Sequence, residues 1–173
     1  FSTAALLSDD NALFKPSLIS ERSEIVIANG GYKVLADYSL ENHPPLHVLL
    51  IAGGDHSEEM YKPSVIEWIK QQSPTATITA SVCTGAFLLA QAGIINNQAV
   101  TTHHQDIDDL KRLFPTITVV KNTRWVSHGN TITSGGISAG IDMSLHIVSQ
   151  LHSEALALKT AAYMEYRWER EDC

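Results

Sequence analysis

Cysteine is almost missing from this sequence: there are two among 173 residues, Cys83 and Cys173, and the second ends the chain. So sparse and distant a pair excludes a disulfide framework, and a reducing cytoplasmic setting is expected. Long apolar runs are missing too, and none approaches the roughly 20 residues that a membrane-spanning helix needs. Positive charge is scarce. Twelve Lys and Arg stand against 19 Asp and Glu, for a net charge of −7. Lys111-Arg112 is the longest basic run, so the domain is not expected to grip nucleic acid directly. Neither CxxC nor HExxH occurs. His43 and His47 have a metal-ligand spacing only on a helix, which Pro44-Pro45 forbid, so neither a metal nor another cofactor is expected. What remains is an ordinary globular composition, 44% hydrophobic, read as one domain over 1–173 with a core of its own.

Apolar runs alternate with segments of helical period, which predicts an α/β fold: a flavodoxin-like three-layer sandwich around a mostly parallel sheet. Phe1 to Leu7 reads as the end of a helix, closed by Ser8-Asp9-Asp10-Asn11. A strand is expected over Phe14 to Ser20. Ile25 to Ala36 reads as a β-hairpin turning at Asn29-Gly30-Gly31. Leu46 to Ile51 is apolar throughout, as in a central parallel strand, and ends in Ala52-Gly53-Gly54. Pro63 opens a helix that buries Val65, Ile66, Trp68 and Ile69. Thr75 to Val82 is a strand that runs straight into Cys83-Thr84-Gly85, followed by an apolar helix over Ala86 to Ala92 that stops at Gly93.

The remainder continues the alternation. A short strand covers Ala99 to Thr102. His104 to Phe114 is a helix with its acids early and its bases late, as the helix dipole favours. A hairpin of Thr118 to Val120 and Arg124 to Thr133 turns at His128-Gly129-Asn130. Ser138 is expected to cap a helix with Ile141, Leu145 and Val148 at core spacing, and Ser153 a last helix reaching about Trp168.

Thr79-Ala80-Ser81-Val82-Cys83-Thr84-Gly85 is where chemistry is expected. A strand that meets a helix across one or two residues forms a nucleophile elbow. It lifts Cys83 above the C-terminal edge of the sheet, with a helix N-terminus behind it to favour a thiolate. Gly53 and Gly54 end another strand at that edge. There the Gly54 N–H, with that of Thr84, could steady developing negative charge. His103 and His104 follow the strand ending at Thr102, and His103 is the better placed to act as general base. Ser134-Gly135-Gly136-Ile137-Ser138-Ala139-Gly140 fits neither phosphate-loop spacing and reads as a close strand-to-helix turn. Tyr163, Tyr166 and Trp168 are expected to pack or to face a partner subunit.

These pieces together resemble the ThiJ/PfpI superfamily, relatives of the class I glutamine amidotransferases. The resemblance rests on Ile51-Ala52-Gly53-Gly54, the elbow around Cys83, Ala99-Val100-Thr101-Thr102-His103, and Thr133 through Asp142. The last stretch, with Met164-Glu165-Tyr166, is similar to the isocyanide hydratase branch and to amidotransferase-like domains of AraC-type regulators. Thr84 stands where protease-like members carry His, which argues against a peptidase. The resemblance also implies a first strand and a loop whose carboxylate touches the thiol. Phe1 to Leu7 looks like the helix after that loop, so roughly 20–30 residues with the acid are expected before Phe1.

What the resemblance implies is thiolate attack by Cys83 on a small electrophilic molecule, with an isocyanide hydrated through a thioimidate. The alternative is a non-enzymatic sensor domain that binds a small molecule or registers oxidation. A homodimer is expected in either case.

Overall fold

In the computed structural model of the chain, residues 1–9, 13–22 and 24–170 are described; Asp10 and Asn11 of the expected first turn, and Cys173, lie outside the described residues. The first half contains α1 (Ser2–Leu7), β1 (Ile19–Ser20), β2 (Ile25–Ile27), β3 (Lys33–Leu35), β4 (Tyr38–Ser39), β5 (Val48–Ile51), α2 (Pro63–Gln72) and β6 (Ile78–Val82). The second contains α3 (Gly85–Gln91), β7 (Ala99–Val100), α4 (Ile107–Leu113), β8 (Thr118–Val119), β9 (Trp125–His128), β10 (Thr131–Ser134), α5 (Ile137–Leu151) and α6 (Glu154–Tyr163).

The organising sheet has the order β5-β6-β10-β9. β5 and β10 both run parallel to β6, and β9 joins β10 antiparallel. The period-two rule sorts the side chains of these strands between two layers. Leu49 and Ile51 of β5 face a core with Ile69 of α2 and Phe87 and Leu89 of α3. Ile78 and Ala80 of β6 face the other layer, with Trp125, Ile132, and Met143 and Ile147 of α5. α5 is buried on two sides, because Val148 packs outward against Ala4, Leu156 and Ala157 of α1 and α6. The α/β architecture expected from the alternation is therefore present, with a mixed and mostly parallel sheet. No helix among the described residues is long and apolar enough to cross a membrane.

Several local expectations are corrected. The run over Leu46 to Ile51 yields β5, which among the described residues pairs only with β6 and so forms an edge. Its apolar character comes from helices on one face and, on the other, a groove of about 430 Å³ lined by Leu50, Val82, Ile141 and Leu145. The strand expected over Phe14 to Ser20 shrinks to Ile19–Ser20, paired with Tyr38–Ser39. Thr118–Val119 does not extend the β9–β10 hairpin; it pairs in parallel with β7. The helix after Thr102 begins at Ile107, not His104.

Gly136, not Ser138, is the N-cap of α5, which leaves Ser138 inside the helix. Ser153 does cap α6, accepting the Leu156 N–H at 3.2 Å. That helix ends at Tyr163 rather than Trp168, and Glu165 takes a φ of +51° just beyond it. The chain then turns back along α5, drawn by hydrogen bonds to Asp142. The Trp168 indole donates to the Asp142 carbonyl at 3.1 Å, and the Glu169 N–H to its carboxylate at 3.0 Å.

Candidate active site at Cys83

β6 delivers Cys83 to a turn in which the residue adopts φ +56°, a region that costs a non-glycine residue about 1–3 kcal/mol. Its surroundings hold it there. The Cys83 N–H donates to the carbonyls of Ser134 at 3.1 Å and Gly135 at 3.0 Å. The Thr102 hydroxyl donates to the Cys83 carbonyl at 2.8 Å. Buried threonines extend this clasp, with the Thr101 N–H donating to the Thr133 hydroxyl at 2.8 Å. The expected elbow is thus held by the ends of β7 and β10, with α3 starting two residues later.

Three glycines make the close approach possible. A Cβ at Gly53 would lie 2.7 Å from the Cys83 Cβ and 3.3 Å from its Sγ, so the β5 loop lies directly against the thiol-bearing side chain. A Cβ at Gly85 would come within 2.4 Å of the Ile51 carbonyl, and one at Gly140 within 2.8 Å of Val82. The contact distances tie both helices to β5 and β6, on either side of the elbow.

Thr84 and Gly54 bind each other. The Gly54 N–H donates to the Thr84 hydroxyl at 2.9 Å, and that hydroxyl donates to the Gly54 carbonyl at 2.7 Å. The pair locks the β5 loop onto the elbow, and in this arrangement the Gly54 N–H is spent on Thr84 rather than left open to a substrate. His103 is half-buried beside the Gly135-Gly136 turn, where a Cβ on Gly136 would meet its ring at 3.1 Å. His104 is exposed and stacks on it with ring centroids 4.4 Å apart.

Sequence reasoning missed Asp106, which it treated only as a helix-dipole acid. The Asp106 carboxylate lies 3.2 Å from His103 Nδ1. The Gln105 N–H also approaches Nδ1, but at 3.4 Å it competes poorly with a carboxylate. Asp106 therefore favours the tautomer with the proton on Nδ1, leaving Nε2 as the basic atom. The three-residue spacing ahead of α4 was the available signal.

A second missed group supports the elbow from behind. Fully buried Asp142 forms an ion pair with Arg124, which also approaches Glu169 at 3.4 Å. Burial opposes the charge on Arg124, but Asp142 and Glu169 outweigh it and hold the guanidinium more firmly protonated than usual. Burial, with the negative charge of Asp142, pushes the Tyr166 phenol up from its ordinary value. The Arg124 carbonyl accepts the Gly135 N–H at 2.9 Å, and Gly135 in turn accepts from Cys83. Tyr166 and Trp168 are thus packing residues of this cluster, while Tyr163 is exposed. His43 Nε2 accepts the Trp68 indole N–H at 2.9 Å.

The model of the DJ-1/PfpI family matches residues 1–150. The HTH-type transcriptional regulator CdhR of Pseudomonas aeruginosa is 26% identical over 149 residues, covering 86% of this chain and 44% of the regulator. The isonitrile hydratase of Pseudomonas putida is 31% identical over 143 residues, covering 82% of this chain and 61% of the hydratase. The chain thus spans less than two thirds of the length of either relative. A ThiJ/PfpI family protein from Pseudomonas syringae superposes with a TM-score of 0.81 at 23% identity, covering 90% of this chain and 64% of that one.

Proposed function

The chain belongs to the DJ-1/PfpI family, and from that premise we propose that Cys83 is a nucleophile toward small electrophilic molecules, acting as an isonitrile hydratase. The observation that carries this reading is the elbow itself: a cysteine at φ +56°, with its backbone clasped from two strands and glycine against its side chain. A merely structural cysteine gives no reason to maintain that strain.

The chemistry balances with the residues at hand and one water. The Cys83 thiolate adds to the terminal carbon of R–N≡C, forming a C–S bond, and the carbon takes up a proton from solvent to give a thioimidate. Water adds to the same carbon and passes one proton through His103 Nε2 to nitrogen; as the C–S bond breaks and the carbonyl forms, the remaining hydroxyl proton returns to solvent. The products are R–NH–CHO and the regenerated thiolate. Asp106 holds His103 in the tautomer this requires and steadies the imidazolium that forms. His104, Gly53 and the Thr84–Gly54 pair shape the surrounding loops, in a chain we assign to the cytoplasm.

A second reading is favoured by the regulators among the relatives: a sensor domain in which the same elbow holds a small ligand without turnover. One assay separates the two. The chain is mixed with a panel of small alkyl and aryl isonitriles, and formamide is followed by NMR. The expected result is turnover that falls about a thousandfold or more in Cys83→Ala. No formamide from any member, together with a ligand-induced rise in melting temperature, would replace the hydratase reading with the sensor one.

A further inference from the structure

Two buried threonines follow β7, Thr101 at 1% and Thr102 at 2% exposed. Valine has nearly the same shape and would fill either place with no hydroxyl to bury, and a buried hydroxyl costs free energy unless it is hydrogen-bonded. Both hydroxyls have partners, but the partners differ in kind. Thr101 donates to the Val120 carbonyl at 3.0 Å, beside the pairing of β7 with β8. Thr102 donates to the Cys83 carbonyl at 2.8 Å, and Cys83 is the residue at φ +56°. The left-handed region is a small well that needs both backbone dihedrals held. The Cys83 N–H bonds to the Ser134 and Gly135 carbonyls hold the peptide on the φ side. The bond from Thr102 holds the peptide on the ψ side, and with it the direction taken by Thr84, whose hydroxyl binds Gly54. The Ala86 N–H also reaches the Cys83 carbonyl, but at 3.4 Å it is a weak bond. Thr102 directly precedes His103, so one hydroxyl joins the segment that carries the base to the residue that carries the thiol.

We infer that Thr102 is a positioning residue for Cys83: through the Cys83 carbonyl, its hydroxyl sets the ψ side of the elbow and the register between Cys83 and His103. The inference rests on the reading of Cys83 as a nucleophile, and it holds whichever small electrophile Cys83 attacks. Thr102 acts through Cys83, not on a reacting atom. Without the hydroxyl, the carbonyl keeps only the long Ala86 contact, and the peptide between Cys83 and Thr84 can turn. The Cys83 side chain then shifts against Gly53, where a Cβ would lie 3.3 Å from Sγ. His103 keeps its own partner in Asp106, so the loss falls on alignment and leaves the tautomer of the base in place. Alignment is costly to lose, since a misplacement of about 1 Å can slow a reaction about a hundredfold.

The test follows alkylation of Cys83 by iodoacetamide at one pH, below the melting temperature, with the site read by peptide mass spectrometry. Thr102→Val, which keeps the shape and drops the hydroxyl, is expected to slow the reaction about tenfold or more. Thr102→Ser, which retains the hydroxyl, is expected to stay close to wild type. Thr101→Val is the control, because that hydroxyl binds Val120 instead. It should lower the melting temperature as Thr102→Val does, yet leave the alkylation rate unchanged. A merely structural Thr102 gives the opposite sign, since a loosened fold exposes the thiol and speeds its alkylation. Should Thr102→Val not fold, Thr102→Ala removes the same hydroxyl and is read in its place. The inference is overturned if the variant without the hydroxyl reacts at the wild-type rate or faster, if Thr102→Ser is equally slow, or if Thr101→Val slows as much. Each of those results leaves Cys83 a nucleophile. A wild-type Cys83 that alkylates no faster than free cysteine removes that reading and this inference together.

Discussion

β6 and β2 are built from similar residues and end in opposite environments. Ile25-Val26-Ile27 is at least as β-branched as Ile78-Thr79-Ala80-Ser81-Val82. Yet Ile27 is 70% exposed while Ala80 and Ser81 are fully buried. β6 has β5 and β10 on its two edges, with α3 and α5 packed against it. β2 has only β3. Burial belongs to the neighbours of a strand more than to the strand, which is why β propensity shifts so much with context. The functional consequence follows. A strand enclosed on every side can hold its terminal residue in a costly conformation, and Cys83 sits at the end of such a strand. A ribbon enclosed on none cannot, and its apolar side chains remain available for association.

Substitutions can break that contrast. Gly85→Ala should have the largest effect, since the new Cβ would lie 2.4 Å from the Ile51 carbonyl between two buried elements. A loss of about 3 kcal/mol or more is expected in urea unfolding, the upper range for overpacking. Asp142→Ala comes next. It leaves Arg124 unpaired and frees the segment around Trp168, at a cost of about 3 kcal/mol, the low end for a broken buried pair because Arg124 is 29% exposed. Its second signature is a red-shifted Trp168 emission: the backbone carbonyl that the indole binds remains, but the Glu169 N–H loses its carboxylate partner and the returning segment loosens. Ile27→Thr should be smallest, within about 0.5 kcal/mol in urea unfolding, because Ile27 is 70% exposed. If that substitution cost as much as Gly85→Ala, the ribbon would be part of the protomer's core and the contrast would fail.

The elbow was legible because its signals are local. Five strand-forming residues, a thiol, then Gly85 ahead of Ala86 and Phe87 leave little room for anything but a strand, a sharp turn and a helix. The Ser153 cap was legible on the same ground, since Leu156 lies three residues away. The end of α6 was not. Met164 through Trp168 has no helix breaker, and the chain leaves the helix because Asp142, more than twenty residues earlier, offers hydrogen bonds to Trp168 and Glu169. The cap of α5 failed for a related reason: Ser138 has a capping side chain, but Gly136 occupies the extended position between the β10 turn and His103.

What the sequence by itself determined is the succession of strands and helices, the hairpin at Asn29-Gly30-Gly31 and the placing of Cys83 on a strand-to-helix turn. Each follows from preferences acting within a few residues: periodicity, β-branching, and the turn chemistry of glycine. The tertiary structure decided which of two similar strands is enclosed, and that among the described residues β5 pairs on one side only. It also decided that the Gly54 N–H is taken by Thr84, and that Arg124, Asp142 and the returning chain stand behind the elbow. These join residues from 18 to more than 40 positions apart. No short window encodes such pairings, because their energy exists only once separate surfaces have been brought into contact and water between them removed.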